Sequence, residues 1–468
     1  TFLSLLFSNL INQVFMKKIY LILLSMFAFC YLNSFAQEPV EINGYTIIEI
    51  NGKYYDISGY DTLRIIDDII TLKYNSDITE QQITTIEQNY GLEKTFHAPT
   101  GWINYKLDSN SDVIDIMQKL ATNEVIHEVL LNYFIPLFAN PNEQAWVARD
   151  TSQTLLNQLC STEAPIYNTS HLLMQVDSAW NITTGSPNIV IGFIDSGTAI
   201  NHPDIGVGDD GYHNLWENPG EVLDGNDNDE NGYIDDLFGW DFVNESGNLI
   251  IIDTNIITTS NHGTMVASNA CSKTNNQLGT FGVAGGWGSK GSGIMTLKIG
   301  NDPFINSYTL TPALIYAIKN GARVVNMSFG NYSLIYPPFA EAIELASQKY
   351  NCLIFGAAGN NNSNSISWPA RHNDVIATGA SAFYCDGDVF MEGRWVSSDT
   401  YGSSFGAELD IVAPSYAYYC DTQSGYSWRE STTATSGATA FASGVAALIL
   451  SANPCLLNYE VKEILAST

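Results

Sequence analysis

The chain has 468 residues, 45% of them hydrophobic and 15% charged, enough for two or three domains with a large buried core. Its formal net charge of −30 excludes a nucleic-acid partner, whose phosphates it would repel, and suits a soluble secreted protein that binds cations. Residues 1–15 precede a good start at Met16 and are read as a non-native upstream segment. Met16-Lys17-Lys18 is a short basic start, residues 19–31 are an apolar run, and Ser34-Phe35-Ala36 offers small residues where a signal peptidase reads. That order predicts a signal peptide over 16–36, cleaved after Ala36, and therefore export. The run is too short for a membrane span of ~20 apolar residues. Export permits disulfides among Cys160, Cys271, Cys352, Cys385, Cys420 and Cys455. The pairing stays open, and Cys271 and Cys352 lie in apolar patterns that equally suit buried free thiols.

Residues 37–140 read as a small α+β unit. Strand patterns fall at 69–74, 102–107 and 125–131, and helical patterns at 79–90 and 113–121, with Gly91 as a stop. A β-α-β-α-β order of this size predicts a ferredoxin-like module. Asn140-Pro141-Asn142 marks a linker, so 141–180 is taken as linker and start of the next unit. Over 181–468 the pattern is α/β. Apolar strand runs at 189–194, 294–299, 324–329, 353–357, 375–378 and 409–412 alternate with helical stretches such as 310–320 and 338–350. Near-continuous apolar strands predict a parallel sheet covered by helices on both faces. The chain ends inside a helical pattern at Ala466-Ser467-Thr468, which predicts a C-terminal truncation and leaves room for a surface-anchoring region beyond it.

Catalytic groups in such sheets gather where strands end and helices begin. Asp195 stands at the end of the first apolar strand, in Ile194-Asp195-Ser196-Gly197. His262 opens a small-residue helical run, Asn261-His262-Gly263-Thr264-Met265. Ser436 begins another, Ala434-Thr435-Ser436-Gly437-Ala438, at a helix start whose backbone N–H groups can face a developing oxyanion. Each alone has a plainer reading: a turn Asp, a structural His, a helix N-cap Ser.

Together, in the order Asp, His, Ser, these stretches resemble the subtilisin family, from about residue 181 to the end of the chain. Val325-Asn326-Met327-Ser328-Phe329-Gly330 looks like that family's substrate-edge strand, Gly356-Ala357-Ala358-Gly359-Asn360 like its oxyanion loop, and Trp368-Pro369-Ala370 follows at a suitable distance. The resemblance implies a subtilisin-like parallel sheet preceded by a ferredoxin-like prodomain over 37–140, and a serine endopeptidase acting on protein or peptide substrates. It implies Asp195, His262 and Ser436 as the triad and Asn360 as an oxyanion donor. Ser328, Phe329, Gly330, Ala358 and Gly359 would line the substrate cleft, with Ser367 at the floor of the specificity pocket where Gly is usual. Other departures are Met265 for His, Ser268 for Gly, Ala434 for Gly and Ala440 for Pro; none is a proton-transfer group.

Two calcium sites are expected. Asp227, Asp229, Asn231 and Asp235 space oxygen ligands as in the first part of an EF-hand loop, with Gly232 at the sharp turn; Phe238 stands where the closing Glu would be. By resemblance, Asp204 and Asn276 would hold a second calcium beside the His helix. The prodomain would act as an intramolecular inhibitor, its apolar tail at 133–139 pairing with the edge at Ser328-Phe329-Gly330 and self-cleavage falling within 133–150. The mature enzyme is expected to be a secreted monomer. The competing readings are a catalytically weak binding or adhesion protein that keeps the fold, and a processing protease with one partner substrate. The intact set of Asp195, His262, Ser436 and Asn360 favours an active enzyme.

Overall fold

The computed structural model describes residues 39–467 apart from 43, 51–52, 59–62, 110, 137–168, 207–210, 250–260, 277, 334, 387–388 and 423–425. The expected signal peptide, the upstream segment, most of the expected linker and nearly all of the expected cleavage region lie outside the described residues.

The N-terminal unit opens with β1 (Val40–Ile42), β2 (Tyr45–Ile50) and β3 (Lys53–Asp56). It continues through β4 (Leu63–Tyr74), α1 (Glu80–Tyr90), β5 (Leu92–His97), β6 (Trp102–Leu107), α2 (Val113–Ala121) and β7 (Ile126–Pro136). Local chemistry sets the helix ends. Thr79 and Gln82 form a reciprocal capping box at the start of α1, and Gly91 ends it at φ 62°, in the left-handed region that glycine enters freely. Asp112 caps α2, which buries Val113, Ile114, Ile116, Met117 and Leu120 on one face. The antiparallel order β5-β6-β4-β7 makes the module ferredoxin-like, but as β-α-β-β-α-β. The expected five-element order is corrected by β5, in which only Leu92 is buried, so no period-2 apolar signal marks it.

The second unit contains β8 (Val190–Asp195), β9 (Gly239–Asp241), α3 (Asn261–Cys271), β10 (Gly293–Lys298), β11 (Gly300–Asn301) and β12 (Phe304–Asn306). Beyond these come α4 (Leu310–Lys319), β13 (Val324–Met327), α5 (Pro337–Gln348), β14 (Leu353–Ala357), β15 (Ile376–Asp386), β16 (Val389–Arg394), α6 (Ala434–Ala452) and α7 (Asn458–Ala466). The parallel order is β9-β10-β8-β13-β14-β15, extended by Ile411–Pro414, with β16 antiparallel to β15. Both faces are covered. Val190 and Ile194 of β8 join the core that contains α4 and α5, while Ile191 and Phe193 join the core that contains α3 and α6. A strand buried on both sides therefore reads as continuously apolar.

The two units share one apolar core, in which Ile70, Leu131 and Tyr133 pack with Leu310, Tyr336 and Phe339. Polar contacts cross the same boundary. The Tyr336 hydroxyl lies 3.0 Å from Thr71 Oγ1 and donates to Asn132 Oδ1 at 2.9 Å; Lys73 pairs with Glu341 at 2.6 Å. The tail of β7 pairs antiparallel with β12, matching Phe134 to Asn306, Ile135 to Ile305 and Pro136 to Phe304. The described part of the expected tail thus pairs with β12 and not with Ser328-Phe329-Gly330, and its residues 137–139 lie outside the described residues.

Cys271, Cys352, Cys420 and Cys455 are free thiols, and burial pushes the Cys352 thiol up to about 12.

Candidate active site

The sheet brings its chemistry to the carboxyl ends of the strands. Asp195 is the last residue of β8, His262 lies in the first turn of α3, and Ser436 in the first turn of α6. α3 comes close to the end of β8 because Gly263 has no side chain: a Cβ there would meet Gly197 O at 2.2 Å. His262 Nδ1 is 2.8 Å from Asp195 Oδ1, and His262 Nε2 is 3.0 Å from Ser436 Oγ. Asp195 Oδ1 also accepts the Ser196 N–H at 2.7 Å, which holds the carboxylate in place. All three residues are buried. A carboxylate on Nδ1 selects the tautomer with the proton there, leaving Nε2 free to accept from the hydroxyl.

Asn360 approaches from the far side of the nucleophile. Its Oδ1 accepts from Thr435 N at 3.1 Å and Thr435 Oγ1 at 2.7 Å. Its Nδ2 is buried and has no hydrogen-bond partner among the described residues. A buried amide donor held by its oxygen and left unsatisfied at its nitrogen is rare and calls for a ligand. Ala434, two residues before Ser436, adopts φ 51°, a conformation that costs a residue with a Cβ roughly 1–2 kcal/mol and glycine little.

The expected cleft residues divide. Ser328 serves the nucleophile directly: its Oγ donates to Ser436 O at 2.9 Å, and its O lies 3.2 Å from Ser436 Oγ. The Phe329 side chain belongs to the core. Gly330 abuts Ser367, whose hydroxyl donates to Ala357 O at 2.7 Å. The Ala358 N–H donates to Thr378 O, and its carbonyl accepts from Ser367 N. Gly359 has φ 107° and stands against Tyr332.

The expected metal ligands also rearrange. Ligand oxygens of Glu221, Asp227 and Asp229 lie within 4.8 Å of one another. Asn231 is bonded to this group through Nδ2, which donates to Asp229 at 3.1 Å and to the buried Asp236 at 2.9 Å. Asp235 Oδ1 accepts from the backbone of Asp224 and Gly225, and Glu221, which the sequence did not single out, joins Asp227 and Asp229. An all-oxygen set of like charges fits a hard cation such as calcium. Asp204 and Asn276 lie together elsewhere in the fold. Asp204 Oδ1 accepts from Asn276 Nδ2 at 2.7 Å, and Oδ2 from Thr280 N at 2.8 Å and Trp428 Nε1 at 2.7 Å.

Sequence reasoning missed Asp302, whose Oδ2 accepts the His262 N–H at 3.0 Å. Its signal was its place in the short segment just beyond β10, at the same sheet edge as Asp195.

A family model, that of the subtilase family, matches residues 186–468. The chain belongs to the subtilase family. It is 29% identical over 308 residues to a halolysin-like extracellular serine protease, Nep, of Natrialba magadii, covering 65% of this chain and 48% of that protein. It is 29% identical over 292 residues to subtilisin DY of Bacillus licheniformis, covering 60% of this chain and 83% of the relative. The crystal structure of fervidolysin from Fervidobacterium pennivorans, a keratinolytic enzyme related to subtilisin, matches with a TM-score of 0.56 at 18% identity. That match covers 91% of this chain and 59% of fervidolysin and establishes likeness of fold. The chain thus spans about half the length of Nep.

Proposed function

We propose that this chain is a secreted serine endopeptidase, made as a zymogen, that cleaves protein or peptide substrates through an acyl-enzyme. The observation that carries this reading is the hydrogen-bonded line Asp195–His262–Ser436, with Asn360 Nδ2 beside it lacking a partner among the described residues. Ser436 Oγ attacks the scissile carbonyl carbon as its proton passes to His262 Nε2. Asp195 holds Nδ1–H and stabilises the imidazolium. Asn360 Nδ2–H donates to the oxyanion. The tetrahedral carbon then expels the amine, which takes the proton from Nε2. Water, deprotonated by the same imidazole, hydrolyses the ester and returns the proton to Ser436.

The N-terminal module acts as the inhibitor in this reading. Strand addition of β7 onto β12 supports it, because main-chain bonds dock the end of the module on the catalytic unit. Glu221, Asp227 and Asp229 would hold a structural calcium, which supplies the charge that three neighbouring carboxylates need.

The deciding experiment is labelling with a fluorophosphonate probe alongside casein hydrolysis. Processed wild type should label and digest casein, and Ser436→Ala should do neither and stay full length. A processed wild type that takes no label, or an Ala variant that still labels, overturns the reading.

A further inference from the structure

Beyond β13 and β14 the two neighbouring strands lead into segments that both touch the turn carrying Ser436. Ser328 does so through its two hydrogen bonds with Ser436, and Asn360 through Thr435. On the proteolytic reading, with the cleft residues that the family resemblance implies, the side chain of the cleaved residue enters the crevice between 328–331 and 358–360. The floor of that crevice is Ser367-Trp368, tied to both walls. Trp368 exchanges backbone bonds with Asn331 at 2.9 and 2.7 Å, and Ser367 N donates to Ala358 O at 2.9 Å.

In this chain the crevice is occupied. A Cβ on Gly330 would stand 2.6 Å from Trp368 O and 2.7 Å from Ser367 Oγ, so the first wall already touches the floor. A Cβ on Gly359 would stand 2.1 Å from the Tyr332 hydroxyl and 2.9 Å from Tyr332 Cζ. Tyr332 thus reaches from the first wall to the second, where its hydroxyl is 2.7 Å from Ser404 Oγ. The second wall holds that anchor, because Ser404 N donates to Gly359 O at 2.8 Å. At the other end, Arg371 donates to Tyr332 O at 3.1 Å and fixes the backbone from which the ring projects.

We propose that Tyr332 bars the crevice that receives the side chain of the cleaved residue, and that with Ser367 it restricts this residue to Gly, Ala or Ser. Each methylene that a pocket cannot accept costs roughly 10–200-fold in discrimination, so a benzyl group is rejected strongly. The inference rests on the proteolytic reading, and its test is arranged so that the two fail separately.

Processed wild type, Tyr332→Ala and Tyr332→Phe are first titrated with the fluorophosphonate probe, which reports the activated serine alone. Then kcat/KM is measured on chromogenic tetrapeptides that differ only in Ala or Phe before the scissile bond. Wild type should favour Ala by at least about tenfold. Tyr332→Ala should shift the Phe-to-Ala ratio toward Phe by a further factor of about ten or more. Tyr332→Phe, which keeps the ring and loses the Ser404 anchor, should shift it by less. Wild type that labels yet cleaves after Phe as well as after Ala overturns the proposal. So does an unchanged ratio in Tyr332→Ala or, if that variant does not fold, in Tyr332→Phe. Wild type that fails to label sinks the proteolytic reading itself, and the proposal with it.

Discussion

Asp302 Oδ2 accepts the backbone N–H of His262 at 3.0 Å, tying the start of α3 to the segment that leaves β10. The first N–H groups of a helix have no partner within it, and a carboxylate there both satisfies one and complements the positive end of the helix dipole. Asp302 is therefore a positioning residue for the imidazole. Burial raises its carboxyl above the ordinary value, opposed by the neighbouring His262 and reinforced by the charge of Asp195.

The same relationship predicts a shift in pH dependence. A carboxyl raised in the folded state contributes stability that is complete below its unfolded value and is lost as pH rises through its folded value. At neutral pH the Asp302 charge is thus a cost to folding, while it favours the imidazolium of His262. Asp302→Asn keeps an oxygen for the His262 N–H and removes that charge. The acid limb of kcat/KM should move to lower pH by roughly half a unit to one unit. The check is a pH profile on one peptide substrate; an unmoved acid limb would show that Asp302 acts through geometry alone.

A second prediction concerns Asn360, whose buried Nδ2 lacks a partner among the described residues. Asn360→Ala should lower kcat by about 10²–10³, the loss known for such a donor in subtilisin and taken from there, with KM little changed. Thr435→Val removes the hydroxyl that holds Asn360 Oδ1 at 2.7 Å and should give a smaller loss of the same kind. Steady-state kinetics distinguishes the cases: a rise in KM with kcat intact would assign Asn360 to ground-state binding.

The legibility of this chain in its sequence follows burial. β14 could be read to the residue, because a strand covered on both faces is apolar throughout. β5 could not, since five of its six side chains are at least partly exposed. Asp195, His262 and Ser436 were legible because each sits at a strand end or helix start amid small residues. Glu221 was not, because it joins Asp227 and Asp229 from outside the spaced loop motif. The contact of Asp204 with Trp428 was not legible either, because that donor lies 224 residues away in the chain and only the fold brings it near.

The two expected metal sites give opposite predictions. A ligand that binds only the folded state stabilises it by roughly 2.7 kcal/mol at a hundredfold excess over Kd. Chelation should therefore lower the melting temperature of wild type, and Glu221→Gln or Asp227→Asn should remove most of that response. Trp428→Phe, which takes one N–H donor from the buried Asp204, should destabilise by about 1–3 kcal/mol with or without calcium. Melts with and without chelator in an inactive Ser436→Ala background separate these effects. A calcium response unchanged in Glu221→Gln but lost in Trp428→Phe would reverse the assignment.

The last prediction concerns His171, which the mechanism does not use. Its ring lies 4.5 Å from Phe281, 5.4 Å from Phe441 and 6.1 Å from Trp180, centroid to centroid, at the back of the nucleophile helix. Burial among these rings pushes the imidazole down to about 3. In the unfolded chain the same group takes up a proton near pH 6.5, so between those values the unfolded state binds more protons. The contribution of a depressed histidine is therefore complete above about pH 6.5 and is lost as pH falls below it, at about 1.4 kcal/mol per unit. From pH 7.5 to pH 5 this amounts to about 2 kcal/mol. Phe441 belongs to α6, which carries Ser436, so protonation would strain the helix that holds the nucleophile. His171→Leu keeps an apolar group of similar size and removes the titration. Denaturant unfolding of Ser436→Ala, with and without His171→Leu, at pH 7.5 and pH 5 measures the difference. The double variant should lose about 2 kcal/mol less on acidification than the single one; equal losses in both would mean that His171 is charged or exposed in the folded protein.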